Sequence, residues 1–348
     1  MSNLFVSYPM KVLSDSAANP IDHRTVTQLG EAGAAAADPG QIVIGNSNRI
    51  GVLLSGTHEF ALLDKDRTQI ARRIVAGSRP VDVVMASSGT MCVANQFDDS
   101  ITVFNSMKML QAKGSIQDAA ATTISLGEQS EPTLAQQGEK LFFDGQLSHD
   151  GWMSCHSCHT DGHTNGMLND NFSDDSFGTP KRVLSLLGVA GTGPWAWNGE
   201  TATLEKQVRN SVLNTMRGKE LDGESVEAIV AFMKTLKLPR LKPDHTSHNS
   251  TIVRGEKLFD TRGCVNCHAP PTFTTAKSYD VGLKDANGTK RFNPPSLRGA
   301  AFRTRFLHDG RADSIRDVLG RHKHQAEERL KKDEIAAIAA YLESLVSR

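Results

Sequence analysis

The sequence has 348 residues, and its 39 lysine and arginine residues balance its 39 aspartate and glutamate residues, so the formal net charge is zero. This balance provides no global field that would attract nucleic acid or another polyanionic partner. No run of eighteen apolar residues occurs, so we expect no membrane span. The length allows two or three domains.

The N-terminal residues, Met1 to Val6, contain neither the basic stretch nor the apolar stretch of a signal peptide. The cofactor attachment predicted below nevertheless requires an export route. We therefore expect a periplasmic or otherwise exported protein, with a start that lies upstream of residue 1.

Residues 1–127 are predicted to form strands and turns, because short apolar runs alternate with Gly, Asn and Ser. The runs fall into two units of roughly 40 residues, which is the spacing of four-stranded propeller blades. The second unit resembles the YVTN family of bacterial β-propellers through Gly77-Ser78-Arg79-Pro80 and Ser100-Ile101-Thr102-Val103-Phe104. The resemblance implies a partial propeller of about two blades, too few to close a ring. A small open sheet is the alternative.

From residue 128 the pattern changes to helices, and the chain repeats itself. Gly138 to Phe142 recurs as Gly255 to Phe259 after 117 residues, and Cys155 recurs as Cys264 after 109. The difference, 117 minus 109, indicates an eight-residue insertion in the first copy near Gly145. Two further motifs recur in the same order: Trp197-Asn198-Gly199 as His308-Asp309-Gly310, and Ala228 to Phe232 as Ala337 to Tyr341. This order indicates an internal duplication.

Each copy contains a C-x-x-C-H motif, which is the attachment signature of c-type haem. The motifs are Cys155-His156-Ser157-Cys158-His159 and Cys264-Val265-Asn266-Cys267-His268. Two thiols on one helical turn reach both vinyl edges of a porphyrin, and the adjacent histidine turns toward the iron. A zinc site would need four nearby ligands, yet the two cysteine pairs are 106 residues apart, counted from 158 to 264. The sequence therefore predicts two covalently bound haem c groups.

The fold class predicted is mixed, with N-terminal all-β propeller-like blades followed by two all-α cytochrome c-type domains. The predicted divisions are residues 1–127 for the partial propeller, 128–240 for the first haem domain and 253–348 for the second. Pro239 to Thr246 reads as a linker, and we assign residues 241–252 to it.

Residues 128–348 resemble the bacterial dihaem cytochrome c peroxidase and MauG family. The resemblance rests on both C-x-x-C-H motifs and on segments that follow each of them. These segments are Trp197-Asn198-Gly199-Glu200-Thr201-Ala202, Pro295-Ser296-Leu297-Arg298-Gly299 and Phe306-Leu307-His308-Asp309-Gly310-Arg311-Ala312. The resemblance implies that the first haem reacts with peroxide and that the second haem receives electrons. It also implies that Trp197 relays electrons, with core packing as the alternative, and that His159 and His268 are the proximal ligands.

The distal ligand decides whether a haem iron is open to substrate. In the family the slot follows the His-Asp-Gly motif and a short helix, which brings it to His322. All ten methionines precede Cys264, so none in the second copy can serve. We therefore predict that His268 and His322 ligate the second iron, with His324 as the competing candidate. A solvated basic surface at residues 321–324 is the alternative to a ligand.

The first haem is predicted to be open, because Ser211 occupies the position equivalent to His322. Met216 or Met167 could bind instead, although a five-coordinate iron is preferred. Gln207 matches a glutamine of the family's distal pocket and would hydrogen-bond peroxide. The family's catalytic glutamate falls at Met216-Arg217 here, with Glu220 shifted from it. General acid–base transfer needs a carboxylate or an equivalent group within reach, so this departure weakens the case for efficient turnover.

Three functions follow. The leading one is a peroxidase that reduces hydrogen peroxide at the first haem and takes electrons from a small redox protein, a cytochrome or a cupredoxin, through the second. The runner-up is a MauG-like oxidase acting on a partner protein. The third is a dihaem electron-transfer protein without enzymatic activity. The family resemblance also implies a calcium ion between the haem domains, with no ligands assigned.

Overall fold

A computed structural model describes residues 3–45, 49–111, 121–128, 130–170, 177–239, 250–322, 324 and 329–346. The chain divides into two compact units. Unit 1 comprises Met1–Thr133 and Lys140–Ser157, and unit 2 comprises Leu134–Glu139 and Cys158–Arg348. The predicted linker lies largely outside the described residues, and its last three residues begin a helix at Ser250. No helix in the described ranges is long and apolar enough to cross a membrane.

Unit 1 is rich in antiparallel sheet. A two-stranded sheet pairs β1 (Leu4–Ser7) with β2 (Thr25–Gln28), and the short helix α1 (Met10–Leu13) lies between them in the chain. Two four-stranded meanders follow. The first contains β3 (Pro39–Ile44), β4 (Ile50–Leu54), β5 (Glu59–Leu63) and β6 (Ile70–Val75), and the second contains β7 (Pro80–Met85), β8 (Thr90–Asn95), β9 (Ser100–Asn105) and β10 (Thr122–Ser125). Helix α2 (Ser106–Gln111) follows β9.

The strands form because their apolar residues alternate or run continuously, as buried strands require. Burial alternates along β9, whereas β4 is buried throughout. Phe60 and Phe104 contact each other in the core, with ring centroids 5.2 Å apart. The predicted sheet-rich N-terminal region is therefore confirmed, in two four-stranded units. No closed barrel or propeller is formed by the described strands, so the propeller assignment remains unconfirmed.

The eight-residue insertion of the first copy lies in the part of unit 1 that spans Lys140–Ser157. It folds as two 3₁₀ turns, at Gly145–Leu147 and His149–Gly151. The Asp150 carboxylate accepts a hydrogen bond of 3.0 Å from the Gly33 amide, and a Cβ on Gly145 would lie 2.5 Å from that of Ala37. The insertion thus packs against the segment between β2 and β3.

Unit 2 contains the helices of both copies. The first copy has α3 (Leu134–Phe142, which ends in unit 1), α4 (Cys155–Cys158, at the boundary of the units), α5 (Leu204–Asn210), a π-helical turn (Ser211–Thr215) and α6 (Gly223–Thr235). The second copy has α7 (Ser250–Thr261), α8 (Ile315–Gly320) and α9 (Lys332–Glu343). Two short hairpins pair β11 (Leu168–Asn169) with β12 (Lys181–Arg182) and β13 (Tyr279–Asp280) with β14 (Arg291–Phe292).

The predicted duplication is visible in equivalent backbone contacts. The Arg182 amide donates to the His308 carbonyl at 2.6 Å, and the Asn293 amide donates to the Trp197 carbonyl at 2.8 Å. Both partners of the second bond lie at an offset of 111 from those of the first, 182 to 293 and 197 to 308. The two copies therefore join through a reciprocal pair of hydrogen bonds. Helices α5 and α8 begin at equivalent caps, Thr203 and Ser314, each accepting from an amide three residues later.

Candidate functional site

A cavity in unit 2 is lined by the second C-x-x-C-H motif. It has a volume of about 230 Å³, and Cys264, Cys267 and His268 all lie in its wall. Most of the remaining lining comes from apolar side chains of the second copy, among them Phe259, Leu297, Ile315, Leu319 and Leu342. An apolar cavity beside two neighbouring thiols and a histidine suits a porphyrin attached through both cysteines.

His268 is held in the form that binds a metal. Its Nδ1 lies 3.1 Å from the carbonyl oxygen of Phe273, and such a bond leaves Nε2 available as a ligand. Burial lowers the pKa of His268 to about 4, and the neighbouring His324 lowers it further. The imidazole is therefore neutral near pH 7, as iron ligation requires. Burial also raises the pKa of the Cys264 thiol to about 11.

His324 faces His268 in this cavity. The two ring centroids are 6.4 Å apart, and both side chains line the wall. Two imidazoles on one metal, with bonds of about 2.1 Å, have ring centres roughly 6 Å apart. His324 is buried, which lowers its pKa, and its Nδ1 has no hydrogen-bond partner among the described residues. The residues present therefore fit a six-coordinate haem.

His322, the ligand predicted from the sequence, lies differently. Its Nε2 is 3.6 Å from Oδ2 of Asp317, and it does not belong to the cavity lining. The chain turns back after α8, where the His322 amide donates to the Asp317 carbonyl and the His324 amide donates to the Val318 carbonyl. This turn brings the competing candidate, His324, into the cavity wall.

Trp197 belongs to the first copy but lines the cavity of the second motif. Its indole Nε1 donates to the carbonyl of Arg182 at 3.0 Å. The ring meets His308 edge-on, with centroids 6.4 Å apart, and meets Phe292 edge-on at 6.5 Å. The tryptophan is thus fixed by contacts with both copies.

The first proximal histidine, His159, is buried, and burial lowers its pKa to about 4. Next to it, Asn169 Nδ2 lies 3.4 Å from Sγ of Cys158. His163 is engaged at both ring nitrogens, since Nδ1 lies 2.7 Å from Ser185 Oγ and Nε2 lies 3.2 Å from the Phe302 carbonyl. These contacts keep His163 from serving as a ligand. His159 therefore fits the first haem as its proximal residue.

Gln207 and Ser211 meet where α5 passes into the π-helical turn. Gln207 Nε2 donates to Ser211 Oγ at 3.2 Å, while its Oε1 is buried without a partner in the described parts of the chain. Met216, in the slot of the family's glutamate, is buried. Glu220 is on the surface, with a side chain that is 75% exposed and 3.9 Å from Nη1 of Arg209. A buried orphan amide is present, but no buried carboxylate stands in that slot.

Within unit 1, Asp38 braces the first attachment motif, and sequence reasoning missed it. Its carboxylate accepts hydrogen bonds of 2.5 Å from Ser154 Oγ and from Ser157 Oγ. Ser157 lies between the two cysteines of the motif. Since 116 residues separate Asp38 from Ser154, no local pattern could have indicated the contact. The described residues contain no group of three or more His, Cys, Asp or Glu side chains able to hold a metal ion, so calcium stays a prediction.

Comparison with known proteins identifies both halves of the helical region. Residues 132–242 match the family model described as di-haem cytochrome c peroxidase, and residues 252–346 match the cytochrome c model. The chain is 25% identical to cytochrome c551 peroxidase of Nitrosomonas europaea over 303 residues, covering 70% of this chain and 87% of that protein. It is 26% identical to methylamine utilization protein MauG of Methylorubrum extorquens over 257 residues, covering 57% and 70% respectively.

Two solved structures share the fold. One is hydrazine synthase of Kuenenia stuttgartiensis, with a TM-score of 0.53, 22% identity and coverage of 64% of this chain and 98% of that chain. The other is a MauG-like protein associated with microbial copper homeostasis, with a TM-score of 0.50, 20% identity and coverage of 65% and 92%. The family models and named relatives support an oxidoreductase with two c-type haems.

Proposed function

We propose that this chain, in which one half matches a di-haem cytochrome c peroxidase model and the other a cytochrome c model, reduces hydrogen peroxide at the first haem. Electrons enter through the second haem from a small redox protein, a cytochrome or a cupredoxin, in an exported compartment. When bound, the haem irons supply the redox chemistry, in which peroxide, two protons and two electrons give two molecules of water. The observation that carries the proposal is Trp197, a residue of the first copy in the wall of the second haem cavity.

The second site is suited to electron transfer rather than to substrate binding. His268 and His324 face each other across it, and we propose them as the axial pair. With both axial positions occupied by imidazole, peroxide has no open position there. Two imidazoles also favour a lower reduction potential than a histidine and methionine pair. Trp197 and His308, in edge contact at 6.4 Å, offer a route from this site toward the first copy.

The first site is suited to peroxide. Ser211 replaces the histidine found at the equivalent position of the second copy, and a serine hydroxyl is a poor iron ligand. The buried Oε1 of Gln207 has no partner in the described parts of the chain, and it can accept a hydrogen bond from the peroxide O–H. Ser211 holds the amide in place through the 3.2 Å bond from Nε2. Gln207 positions peroxide but cannot act as a general acid or base.

Met216 favours a second candidate function, a MauG-like oxidase acting on a partner protein. Its buried side chain stands where the peroxidases carry a catalytic glutamate. Without a carboxylate at that place, proton delivery to peroxide is slow, and oxidation of a partner protein becomes competitive. The two functions differ in what is consumed. A peroxidase oxidises a small donor protein continuously, whereas the oxidase modifies its protein substrate.

Low-temperature EPR of the oxidised holoprotein, before and after hydrogen peroxide, tests the proposal. We expect one high-spin ferric signal that peroxide removes and one low-spin signal from the second haem. Steady-state oxidation of a reduced small cytochrome then distinguishes the peroxidase from the oxidase. Two low-spin signals that peroxide leaves unchanged would exclude both enzymes and leave an electron-transfer protein.

The variant Gln207→Leu tests the peroxide-binding role directly. Loss of one hydrogen bond to bound peroxide is worth about 1.4 kcal/mol, so we expect roughly a tenfold lower kcat/KM for peroxide. The variant Gln136→Leu, on the exposed face of α3, serves as the matched control and should keep the full rate. An unchanged rate in Gln207→Leu would remove Gln207 from the site.

A further inference from the structure

The cavity wall contains two arginines whose charges no carboxylate balances. Arg182 is only 4% exposed, and Arg303 places its guanidinium inside the wall although part of the residue reaches solvent. Burial lowers the pKa of Arg182 to about 10 and that of Arg303 to about 9, and repulsion from Arg182 contributes to the second shift. Both remain charged at neutral pH.

The hydrogen bonds of these arginines go to backbone carbonyls and leave donors over. Arg182 donates through Nε to the Leu307 carbonyl at 3.3 Å. Arg303 donates through one terminal nitrogen to the carbonyls of Ser296 at 2.7 Å and Arg298 at 3.0 Å. Neither forms an ion pair with an acidic side chain in the described ranges of the chain. A guanidinium has five N–H donors in a fixed fork, so both retain donors that can bind an anion.

Neighbouring cations in the same region are neutralised. Lys181, next to Arg182 in β12, pairs with Asp285 at 3.4 Å. Arg262, a third arginine of the cavity lining, pairs with Glu334 at 2.6 Å. The fold therefore supplies carboxylates where it needs them. A buried charge without a partner is costly, so the two remaining guanidiniums call for a counter-ion from outside the polypeptide.

The internal duplication shows that the fold itself does not require these arginines. At the offset of 111 residues, Arg182 corresponds to Asn293, and Arg303 corresponds to Thr192. Both equivalents are neutral side chains in the same backbone setting. The positive charge is therefore particular to the wall of the second cavity, which is lined by the attachment cysteines and by His268 and His324.

We infer that Arg182 and Arg303 form a carboxylate-binding site for the two propionate groups of the second haem. The number of charges agrees, since a haem carries two carboxylates and the wall carries two unbalanced guanidiniums. Arginine binds carboxylate through two parallel N–H bonds, which also fixes the orientation of the group. The site would hold the porphyrin in one orientation and raise the reduction potential of its iron by neutralising the propionates. It deepens the proposed function but requires only that haem is bound at the second motif.

The test uses the holoprotein variants Arg182→Met and Arg303→Met, with Arg305→Met as the control. Arg305 is exposed and pairs with Asp313 at 2.8 Å on the surface. Covalent haem content by mass, the reduction potential of each haem and the propionate bending modes in resonance Raman spectra are measured. A Cys155→Ala, Cys158→Ala form, which lacks the first attachment, assigns the signals of the second haem. None of these readings depends on peroxide turnover.

We expect both methionine variants to shift the second haem to a lower potential and to move its propionate modes, while the first haem and the control keep their values. Arg182→Lys and Arg303→Lys should restore the potential, because they keep the charge, but not the Raman modes. Unchanged potential and Raman modes in fully loaded methionine variants would overturn the inference. If the methionine variants load no second haem, equal failure of the lysine variants would overturn it, and loading by the lysine variants would support it.

Discussion

At the scale of single residues, one position in each copy separates the two haem sites. Ser211 and His322 occupy equivalent places, but they do not have equivalent roles in the structure. The turn after α8 carries the chain past His322, so that His324 reaches the cavity wall opposite His268. Two residues of sequence displacement thus change which imidazole can meet an iron.

The variants His324→Ala and His322→Ala test this assignment. We expect His324→Ala to convert the second haem fully from low spin to high spin and to raise its reduction potential, because a nitrogen ligand is lost. His322→Ala is the matched control and should stay low spin. EPR of the oxidised holoprotein and a redox titration measure both effects. The reverse outcome, with high spin only in His322→Ala, would return the ligand to His322.

At the scale of elements, a glycine lets the first and last helices of each copy cross closely. A Cβ on Gly138 of α3 would lie 1.8 Å from the carbonyl oxygen of Ala228, and one on Gly255 of α7 would lie 2.0 Å from that of Ala337. No side chain can be accommodated against backbone at such distances. The repeated glycine therefore marks the closest contact of the helices that enclose each haem domain.

The substitution Gly255→Ala is expected to lower the free energy of unfolding by about 3 kcal/mol or more, because α7 must move away from α9. Gly223→Ala is the matched control, since Gly223 begins α6 and a Cβ there would meet nothing within 4 Å. Its effect should stay within about 1 kcal/mol. Urea denaturation of the holoprotein measures both. Similar midpoints for the two variants would contradict the close crossing.

A buried ion pair joins the two hairpins of unit 2. Lys181 of β12 and Asp285, between β13 and β14, have side chains that are 7% and 4% exposed. Burial alone would raise the pKa of Asp285, but hydrogen bonds from the Thr289 backbone and the charge of Lys181 outweigh it and hold that pKa below its ordinary value. A carboxylate with a depressed pKa stabilises the fold above its unfolded pKa and loses that contribution as the pH falls through the folded value.

Asp285→Asn should therefore destabilise the protein by about 3 kcal/mol at pH 7, since it leaves the Lys181 ammonium buried without a partner. The difference from the unmodified protein should shrink below about pH 4, where Asp285 itself becomes protonated. Asp313→Asn removes a surface partner of Arg305 and should cost less than about 1 kcal/mol. Thermal denaturation as a function of pH measures both. A loss that stays constant down to pH 3 would argue against the ion pair.

At the scale of the whole molecule, the two copies of unit 2 are joined through Trp197 and His308, which are equivalent residues of the duplication in contact with each other. Reciprocal backbone hydrogen bonds hold this junction. A contact between equivalent residues is what a two-fold arrangement of the copies would produce. It places an aromatic residue of the first copy in the wall of the second haem cavity.

The variant Trp197→Phe should slow electron transfer from the second haem to the first at least tenfold, because the indole and its hydrogen bond to Arg182 are lost. Trp152→Phe, a partly exposed tryptophan of unit 1, is the control. Stopped-flow spectroscopy of the half-reduced protein mixed with peroxide follows both haems. Equal rates in the two variants would leave Trp197 with a packing role only.

Much of this protein was determined by local sequence patterns. Two thiols on one helical turn, followed by histidine, predict a haem wherever they lie in the chain, and four repeated motifs reveal a duplication. Alternating apolar runs likewise predicted the sheet-rich region, because strand burial has a period of two residues. These features depend on residues that are neighbours in sequence.

Tertiary structure alone decided the rest, because the partners lie far apart in the chain. Asp38 reaches Ser154 across 116 residues, and Arg303 lies in one cavity wall with Arg182 although 121 residues, counted from 182 to 303, separate them. The choice between His322 and His324 depended on a single turn of backbone. Contacts of this kind follow from how packed elements approach one another, which no periodicity in the sequence encodes.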